Sequence, residues 1–493
     1  MRSRFRLLVV IGCIALAGVI GSAEAQQKLF FGARHLGMGN TGVGGSVDGL
    51  AVHYNPAGMA FSQSWEIQLP LATVDLGLEG DLIGRLDGIG DLSDSIENAN
   101  IQERLDGIGA PVTRAELSEF LALYLYEVAE LSGSTQGAEL QGTGGPAFRW
   151  KNWGVSVSGF GNGGASATID LTNGIALTSA DFQTAIPNPG PDACGGEPFC
   201  EGFATELVAA GMGQLDQLRA EEIAAAAGPQ LQNSEVAQDL LLGIVRNTVQ
   251  GDGTLATNGS GSLTAGIFFV QVAGTYSHKI LDNLSVGGNL KYMTGETWLD
   301  FVQIEDIADG ETLVEDLLDS NNTKSDSDFG VDIGVMWRPA PKWSLGLVGT
   351  NVNSPSFEFD GGRSYDLDPS FRAGGAWAPL SWFNAALDVD LNELDSGVIP
   401  GLGYRYVNAG VEFRAGRWVA LHLGAFTNVA SDDQDPSITA GLGLGIGRFE
   451  LSLAGAASTG STDVNVGADD KSFPSGASVA LQLAWRAAKQ QPL

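Results

Sequence analysis

A chain of 493 residues could hold two or three ordinary domains, yet no Pro/Ser-rich linker or abrupt shift in composition divides it, so one large architecture is the simpler expectation. With 69 glycines and only 17% charged residues it is unlike a water-soluble domain and fits a large closed sheet, which uses glycine where strands bend. The formal net charge of -32 argues against nucleic acid as a partner, because no basic stripe offsets the carboxylates that would face phosphate.

Residues 1–25 read as a signal peptide. Arg2, Arg4 and Arg6 form the basic end, Leu7 to Ile20 the apolar run, and Ala23-Glu24-Ala25 the small-x-small cleavage site before Gln26. Val10-Ile11-Gly12-Cys13 also fits a lipoprotein-type site, but cleavage there would leave Ile14 to Ile20 on the mature end. Beyond the signal no apolar run reaches the ~18 residues of a membrane helix. If the mature chain enters a bilayer it does so as a closed barrel, since only helices and barrels satisfy every backbone group in lipid.

Residues 26–62 are too rich in glycine to be a strong helix or strand alone, and must be shaped by walls around them. The pattern Gly32-Ala33-Arg34-His35-Leu36-Gly37-Met38-Gly39 followed by Tyr54-Asn55-Pro56-Ala57-Gly58 resembles the opening of FadL/TodX-type outer-membrane transport proteins. It looks closer still to the barrel group named for the conjugal transfer protein TraF. The resemblance implies a hatch, or plug, inside the barrel, with Gly37, Gly39, Asn55 and Pro56 in the lumen. It also implies passive uptake of small hydrophobic molecules or, for the TraF group, a non-transporting part of a conjugal transfer or secretion assembly. The chain departs at Ser46-Val47-Asp48-Gly49, where relatives often carry paired acidic residues, so no ion pair is assigned to Asp48.

The barrel is expected over residues 63–486. In the first strand, from Trp65 to Gly77, apolar Trp65, Ile67, Leu69 and Leu71 alternate with Glu66, Gln68, Pro70 and Ala72. Alternation then breaks at a helical insertion near 81–132, which holds the repeat Arg85-Leu86-Asp87-Gly88-Ile89-Gly90 and Arg104-Leu105-Asp106-Gly107-Ile108-Gly109. A capping box, Thr113-Arg114-Ala115-Glu116, precedes an apolar face of Leu117, Phe120, Leu121, Tyr124 and Val128. A second strand-like run, Trp153 to Leu171, puts Val155 and Val157 on one side and Ser156, Ser158 and Asn162 on the other. A further insertion, helical over Phe203 to Ala227 and Glu235 to Val249 and so near 201–250, follows Cys194 and Cys200. These two fit a disulfide in an oxidising compartment or two free thiols; a metal reading is weaker, with no His or second Cys pair nearby.

The remainder holds the cleanest alternation. Phe329, Val331, Ile333, Val335 and Trp337 oppose Asp328 and Asp332; Phe383, Ala385, Leu387 and Val389 oppose Asn384, Asp388 and Asp390; Ile438, Ala440, Leu442 and Leu444 oppose glycines. One side suits lipid and the other a wet or glycine-lined lumen. Short turns at Lys151-Asn152, Lys279 to Asn283, Arg338 to Lys342, Ala378 to Ser381, Ala415-Gly416 and Gly447-Arg448 alternate with longer, mostly acidic links. Trp150, Trp153, Trp337, Trp343, Trp377 and Trp382 bracket three of those turns, with Trp418 and Trp485 near the same end, as in an interfacial girdle. The count is about 14 strands, an even number. The segments Tyr406 to Phe413, Trp418 to Leu421 and Ser437 to Leu444 also look like closing strands of the TraF group, whereas the tail 487–493 departs from the usual terminal aromatic.

The expected fold is therefore all-β, a transmembrane antiparallel β-barrel in the outer membrane of a Gram-negative bacterium. The expected partners are outer-membrane lipid, a hydrophobic small-molecule ligand and other envelope proteins. No catalytic set, metal site or cofactor motif is read. His35, His53, His278 and His422 are too scattered for a metal, and His422 is placed as a lumen polar group. The glycine runs Gly159 to Gly164 and Gly441 to Gly447 lack a P-loop lysine and read as bends and lumen spacers. The acidic set from Glu305 to Asp319 reads as a solvated loop, with divalent-cation binding as the alternative.

Overall fold

The computed structural model describes residues 30–62, 64–79, 137–168, 193–211, 215–233, 261–303, 323–358, 364–396, 402–431, 434–466 and 469–486, with 238, 242 and 399 besides. The signal peptide, the insertion near 81–132, nearly all of 235–249, the acidic set Glu305 to Asp319 and the tail 487–493 lie outside the described residues.

Fourteen antiparallel strands form one closed ring. They are β1 Trp65–Glu79, β2 in two pieces (Gly137–Gly144 and Ala147–Trp150), β3 Trp153–Thr168, β4 Gly261–Leu281, β5 Leu284–Gln303, β6 Thr323–Ala340 and β7 Trp343–Thr350. The circuit continues through β8 Ser370–Leu380, β9 Phe383–Asp390, β10 Tyr406–Ala415, β11 Val419–Asn428, β12 Ser437–Ile446, β13 Phe449–Ser458 and β14 Gly476–Arg486. Each strand pairs with its neighbour in sequence, and β14 returns to β1 with Glu66 opposite Arg486 and Gly77 opposite Gly476. Closure leaves no sheet edge unpaired, which is the condition for crossing a bilayer with strands.

Sidedness follows the period of two. On β6 and β12, Phe329, Ile333, Trp337, Ile438, Leu442 and Leu444 stand exposed outside, while Asp332, Met336, Thr439 and Gly441 are buried within. One position corrects the reading. Ala72 is exposed beside exposed Leu71, because the β1–β14 register shifts between Pro70 and Ala72 and turns Thr73 inward. Proline has no N–H to give the ladder, so the strand bulges there and its phase flips. The partner strand breaks at the same level: Gly145, with φ +130°, sends its N–H to the Pro70 carbonyl (2.9 Å), and Pro146 accepts from Val157 N–H (3.0 Å).

The eight turn-flanking tryptophans, Trp150, Trp153, Trp337, Trp343, Trp377, Trp382, Trp418 and Trp485, are 37–59% exposed at the short-turn end. At the other end the long links are not plain solvated loops. Ser356–Glu358 pairs with Ser364–Asp366 and Leu394–Asp395 with Gly403–Tyr404 as small hairpins, whose Phe357, Tyr365, Leu367, Leu394, Ile399 and Leu402 are buried. A third hairpin joins Ser461–Val466 to Asp469–Pro474.

The run read as one helix over Phe203 to Ala227 is two: α3 Pro198–Ala210 and α4 Gln217–Asn233, numbered after the short α1 and α2 below. Gly211 marks the break, where an added Cβ would lie 2.7 Å from that of Leu215. Pro198 opens α3, and the Glu197 carboxylate caps it by accepting from Phe199 and Cys200 N–H. Cys194 and Cys200 are joined by a disulfide.

Candidate functional site

The lumen is occupied by the chain's own residues 30–61, made of α1 Ala33–Gly37, α2 Ala51–Tyr54 and a 3-10 turn Pro56–Phe61. Helices of four to six residues do not stand alone. They are held by contacts too close for side chains. Gly39, at φ +66°, lies where a Cβ would come within 2.5 Å of the Ala409 and Ala425 carbonyl oxygens. A Cβ on Gly37 would stand 3.1 Å from Gly441 Cα, so the lumen glycines are seats for this segment rather than open space. Thr439 Oγ1 accepts from Gly39 N–H (3.1 Å) and donates to the Gly37 carbonyl (2.9 Å).

Asn55 and Pro56 do the same on the opposite wall. Asn55 Nδ2 donates to the Val43 and Val335 carbonyls (3.0 Å each), and its Oδ1 accepts from Ala57 N–H (3.1 Å). Wall glycines make room: a Cβ on Gly287 would lie 2.5 Å from the Pro56 carbonyl carbon. Between these anchors, Asp388 of β9 accepts from Gly42 N–H (2.7 Å) and Val43 N–H (2.9 Å). The four residues Gly37, Gly39, Asn55 and Pro56 thus all sit against the inner wall.

An ionic network ties the segment to the short-turn end. Arg34 Nε donates to Glu412 (2.9 Å), and its guanidinium lies 3.8 Å from Asp48. Asp48 therefore has the ion pair that its motif context denied it; it also accepts from Ser46 Oγ and Leu50 N–H, both at 3.0 Å. Burial pushes its carboxyl up, but the charges of His35 and Arg34 outweigh it and hold Asp48 below the usual range. Burial likewise opposes the Arg34 charge, and Glu412 more than restores it. From Glu412 the chain of pairs runs through Arg414 (2.9 Å), Glu450 (3.7 Å), Arg486 (2.6 Å), Glu66 (2.6 Å) and Arg149 (3.1 Å). His422 is fully buried with Nε2 3.0 Å from Glu412.

Two further histidines, His35 buried and His53 half-buried, belong to the segment itself. His35 stacks on Tyr54 with ring centroids 4.0 Å apart, and neither ring nitrogen has a hydrogen-bond partner. Burial drives it down to about 3. His53 stacks on Phe31 at 3.6 Å and is likewise pushed to about 3, by burial and then by Lys291.

Above the segment the lumen turns aromatic. Phe357 of an outer hairpin, Phe269 of β4, Phe160 of β3 and Phe31 follow one another at centroid spacings of 5.6, 5.0 and 5.7 Å. A second series, Tyr404, Tyr406, Phe426 and Phe30, is spaced 5.9, 6.1 and 5.3 Å. A cavity of about 90 Å³ lies beside Phe31, Val52, Phe160, Phe269, Met293 and Val348. Gln271, Lys291, Asp332, Asn351 and Arg372 line it too, and its cations are matched: Lys291 meets Asp332 (2.6 Å) and Asn351, and Arg372 meets Asp390 (2.5 Å). The outer hairpins are pinned to the inner wall, Tyr404 donating to Glu139 and Tyr365 accepting from Asn162 (3.3 Å).

The aromatic series was missed by sequence reasoning although its signal was present. Phe160 shares the phase of Ser158 and Asn162, so a lone aromatic among inward polar residues was there to be noticed. Phe357 and Tyr365 carry no such signal, lying in links without alternation. Among the described residues no group of His, Cys, Asp and Glu could hold a metal ion.

A sequence model of the F plasmid transfer operon TraF protein family matches residues 52–390, more than half of the chain. The chain belongs to that family. The match takes in Tyr54-Asn55-Pro56-Ala57-Gly58 but begins after the Gly37 motif and ends before β10. No curated protein matches this TraF-family barrel. Solved structures that align with it include the toluene transporter TbuX of Ralstonia pickettii, at 11% identity and TM-score 0.44, covering 92% of this chain and 98% of that one. The toluene transporter TodX of Pseudomonas putida aligns at 9% and 0.44, covering 94% and 99%, and a FadL homologue of Pseudomonas aeruginosa at 9% and 0.43, with the same coverage.

Proposed function

We propose that this TraF-family barrel spans the outer membrane of a Gram-negative bacterium and admits small hydrophobic molecules passively through its lumen. The observation that carries the reading is the pair of aromatic series descending from the outer hairpins to Phe30 and Phe31, with a cavity beside Phe269, Phe160 and Phe31 of the first. Aromatic side chains offer a dry, rigid surface to an apolar guest. Because Lys291 and Arg372 already face carboxylates, a neutral guest leaves no charge to be re-paired, whereas an ionic one would compete with Asp332 or Asp390. Residues 30–61 fill the lumen below the cavity, and the buried hairpin residues Phe357, Tyr365 and Tyr404 lie toward its other end. Passage therefore requires the lower segment, acting as a hatch, to shift, and the Arg34–Glu412 contact is the strongest tie it must loosen.

The test is uptake of a labelled neutral hydrocarbon by cells carrying the protein. Val52→Trp fills the cavity and should cut uptake at least about tenfold, the factor for 1.4 kcal/mol, with heat-modifiable migration unchanged. Uptake no different from cells lacking the barrel, or unmoved by Val52→Trp, overturns the proposal. The family description favours a second reading, a non-transporting envelope component of a conjugal transfer or secretion assembly, in which the helix pair α3 and α4 docks another protein. Removing residues 193–233 would then abolish plasmid transfer, and cells carrying the intact protein would take up no more labelled hydrocarbon than cells lacking it.

A further inference from the structure

The short-turn end carries a charge opposite to the chain as a whole. Against a formal net charge of -32, four of its six tight turns hold an exposed cation: Lys151 between β2 and β3, Lys342 between β6 and β7, Arg417 between β10 and β11, and Arg448 between β12 and β13. Asp282 is the one carboxylate in those turns, all of which lie among the described residues. Two further cations of the same end, Lys279 and Arg338, are engaged elsewhere, resting 4.9 and 4.2 Å from the Phe61 ring.

Each of the four adjoins an outward aromatic. Lys151 stands between Trp150 and Trp153 with its ammonium 5.5 Å from the Trp150 ring, and Arg417 lies 4.8 Å over Trp418. Lys342 precedes Trp343, which is 49% exposed, and Arg448 precedes Phe449, 51% exposed and stacked on Trp485. Interfacial tryptophan settles where hydrocarbon meets headgroup. A cation one residue further toward the turn reaches the level of the phosphates.

We propose that this ring of Lys151, Lys342, Arg417 and Arg448 is a binding surface for anionic phospholipid headgroups in the leaflet that meets the short turns. Its layout selects the partner. The four cations are spread over turns around the circumference and converge on no pocket, so free phosphate finds no shared cradle and a compact acidic protein would reach only part of the set. Annular lipid surrounds the whole ring. Anionic headgroups are drawn to such juxtamembrane cations, and the attraction is screened by salt. The inference rests on the membrane-spanning reading above and adds the chemistry of the lipid.

The experiment uses the full mature chain in phosphatidylcholine vesicles containing, at equal mole fraction, either brominated phosphatidylglycerol or brominated phosphatidylcholine. Bromine quenches nearby tryptophan, so the emission reports which lipid sits at the girdle. Brominated phosphatidylglycerol should associate about fivefold more strongly per engaged cation. The preference should vanish in high salt and in K151Q/K342Q/R417Q/R448Q with heat-modifiable migration retained. If that variant fails to fold, the doubles K151Q/R417Q and K342Q/R448Q should each lose part of it. Equal quenching by the two lipids, or full preference in the variants, overturns the proposal while leaving the membrane reading in place. Absence of quenching by either lipid sinks the membrane reading instead. Loss of preference on adding inorganic phosphate at constant ionic strength reassigns the ring to free phosphate and overturns the lipid.

Discussion

The barrel wall and the segment inside it are built on different physics. In the wall each residue's environment follows from its parity: Phe329 and Leu442 face out and Asp332 and Gly441 face in because side chains of a strand alternate. The segment has no such rule. Its shape is a cast of its surroundings, fixed by glycines at van der Waals distance from wall backbone, by Asn55 bridging Val43 and Val335, and by one arginine bonded to Glu412.

That contrast can be broken from either side. The largest effect is expected at the ionic tie. Glu412→Leu strands both Arg34 and Arg414 without their shared carboxylate, a loss of about 3–5 kcal/mol for a buried pair. It should appear as a lower urea midpoint, and adding Arg34→Leu should recover part of it. Phe329→Asp or Val331→Asp puts a charge on the outer face and should cost about 2–4 kcal/mol near the bilayer midplane. A neutral result in heat-modifiable folding would contradict the assignment of inside and outside. Gly39→Ala pushes a methyl into the Ala409 and Ala425 carbonyls, an overpacking of about 1–3 kcal/mol. It should speed trypsin cleavage after Arg34 while leaving the wall's heat-modifiable band in place.

Acid should separate the two regions as well. His35 and His53 are held near 3 by burial, below the ordinary imidazole value of about 6.5, so the undocked segment binds protons that the docked one does not. Docking is then fully stable above about 6.5 and weakens as pH falls from there toward about 3. Asp48, held below its usual range, adds a loss in the same direction at still lower pH. Hydrogen exchange should show residues 30–61 opening across that window before the strands do. The smallest effect is expected for C194S/C200S, which loosens the start of α3 and should leave wall and uptake unchanged.

The wall was legible because its signal is local. Five alternating runs, six tight turns and eight tryptophans were enough to place fourteen strands, and the misplaced Ala72 lies where Pro70 interrupts the rule. The segment's position was foreseen only through resemblance of its Gly-x-Gly and Asn-Pro motifs, whose own residues do not say what they touch. The Arg34–Glu412 pair joins residues 378 apart, and nothing local marks either as the other's partner.

Period-two sidedness and turn chemistry, which act between residues a few positions apart, determined from the sequence by itself that this chain makes a closed ring of strands with an apolar outside. Which groups meet across the lumen was decided only by the tertiary structure. Phe357 found Phe269, Asp48 found Arg34 and Gly39 found Ala425, because ring closure brings distant strands and links within contact distance and no short-range pattern encodes that distance.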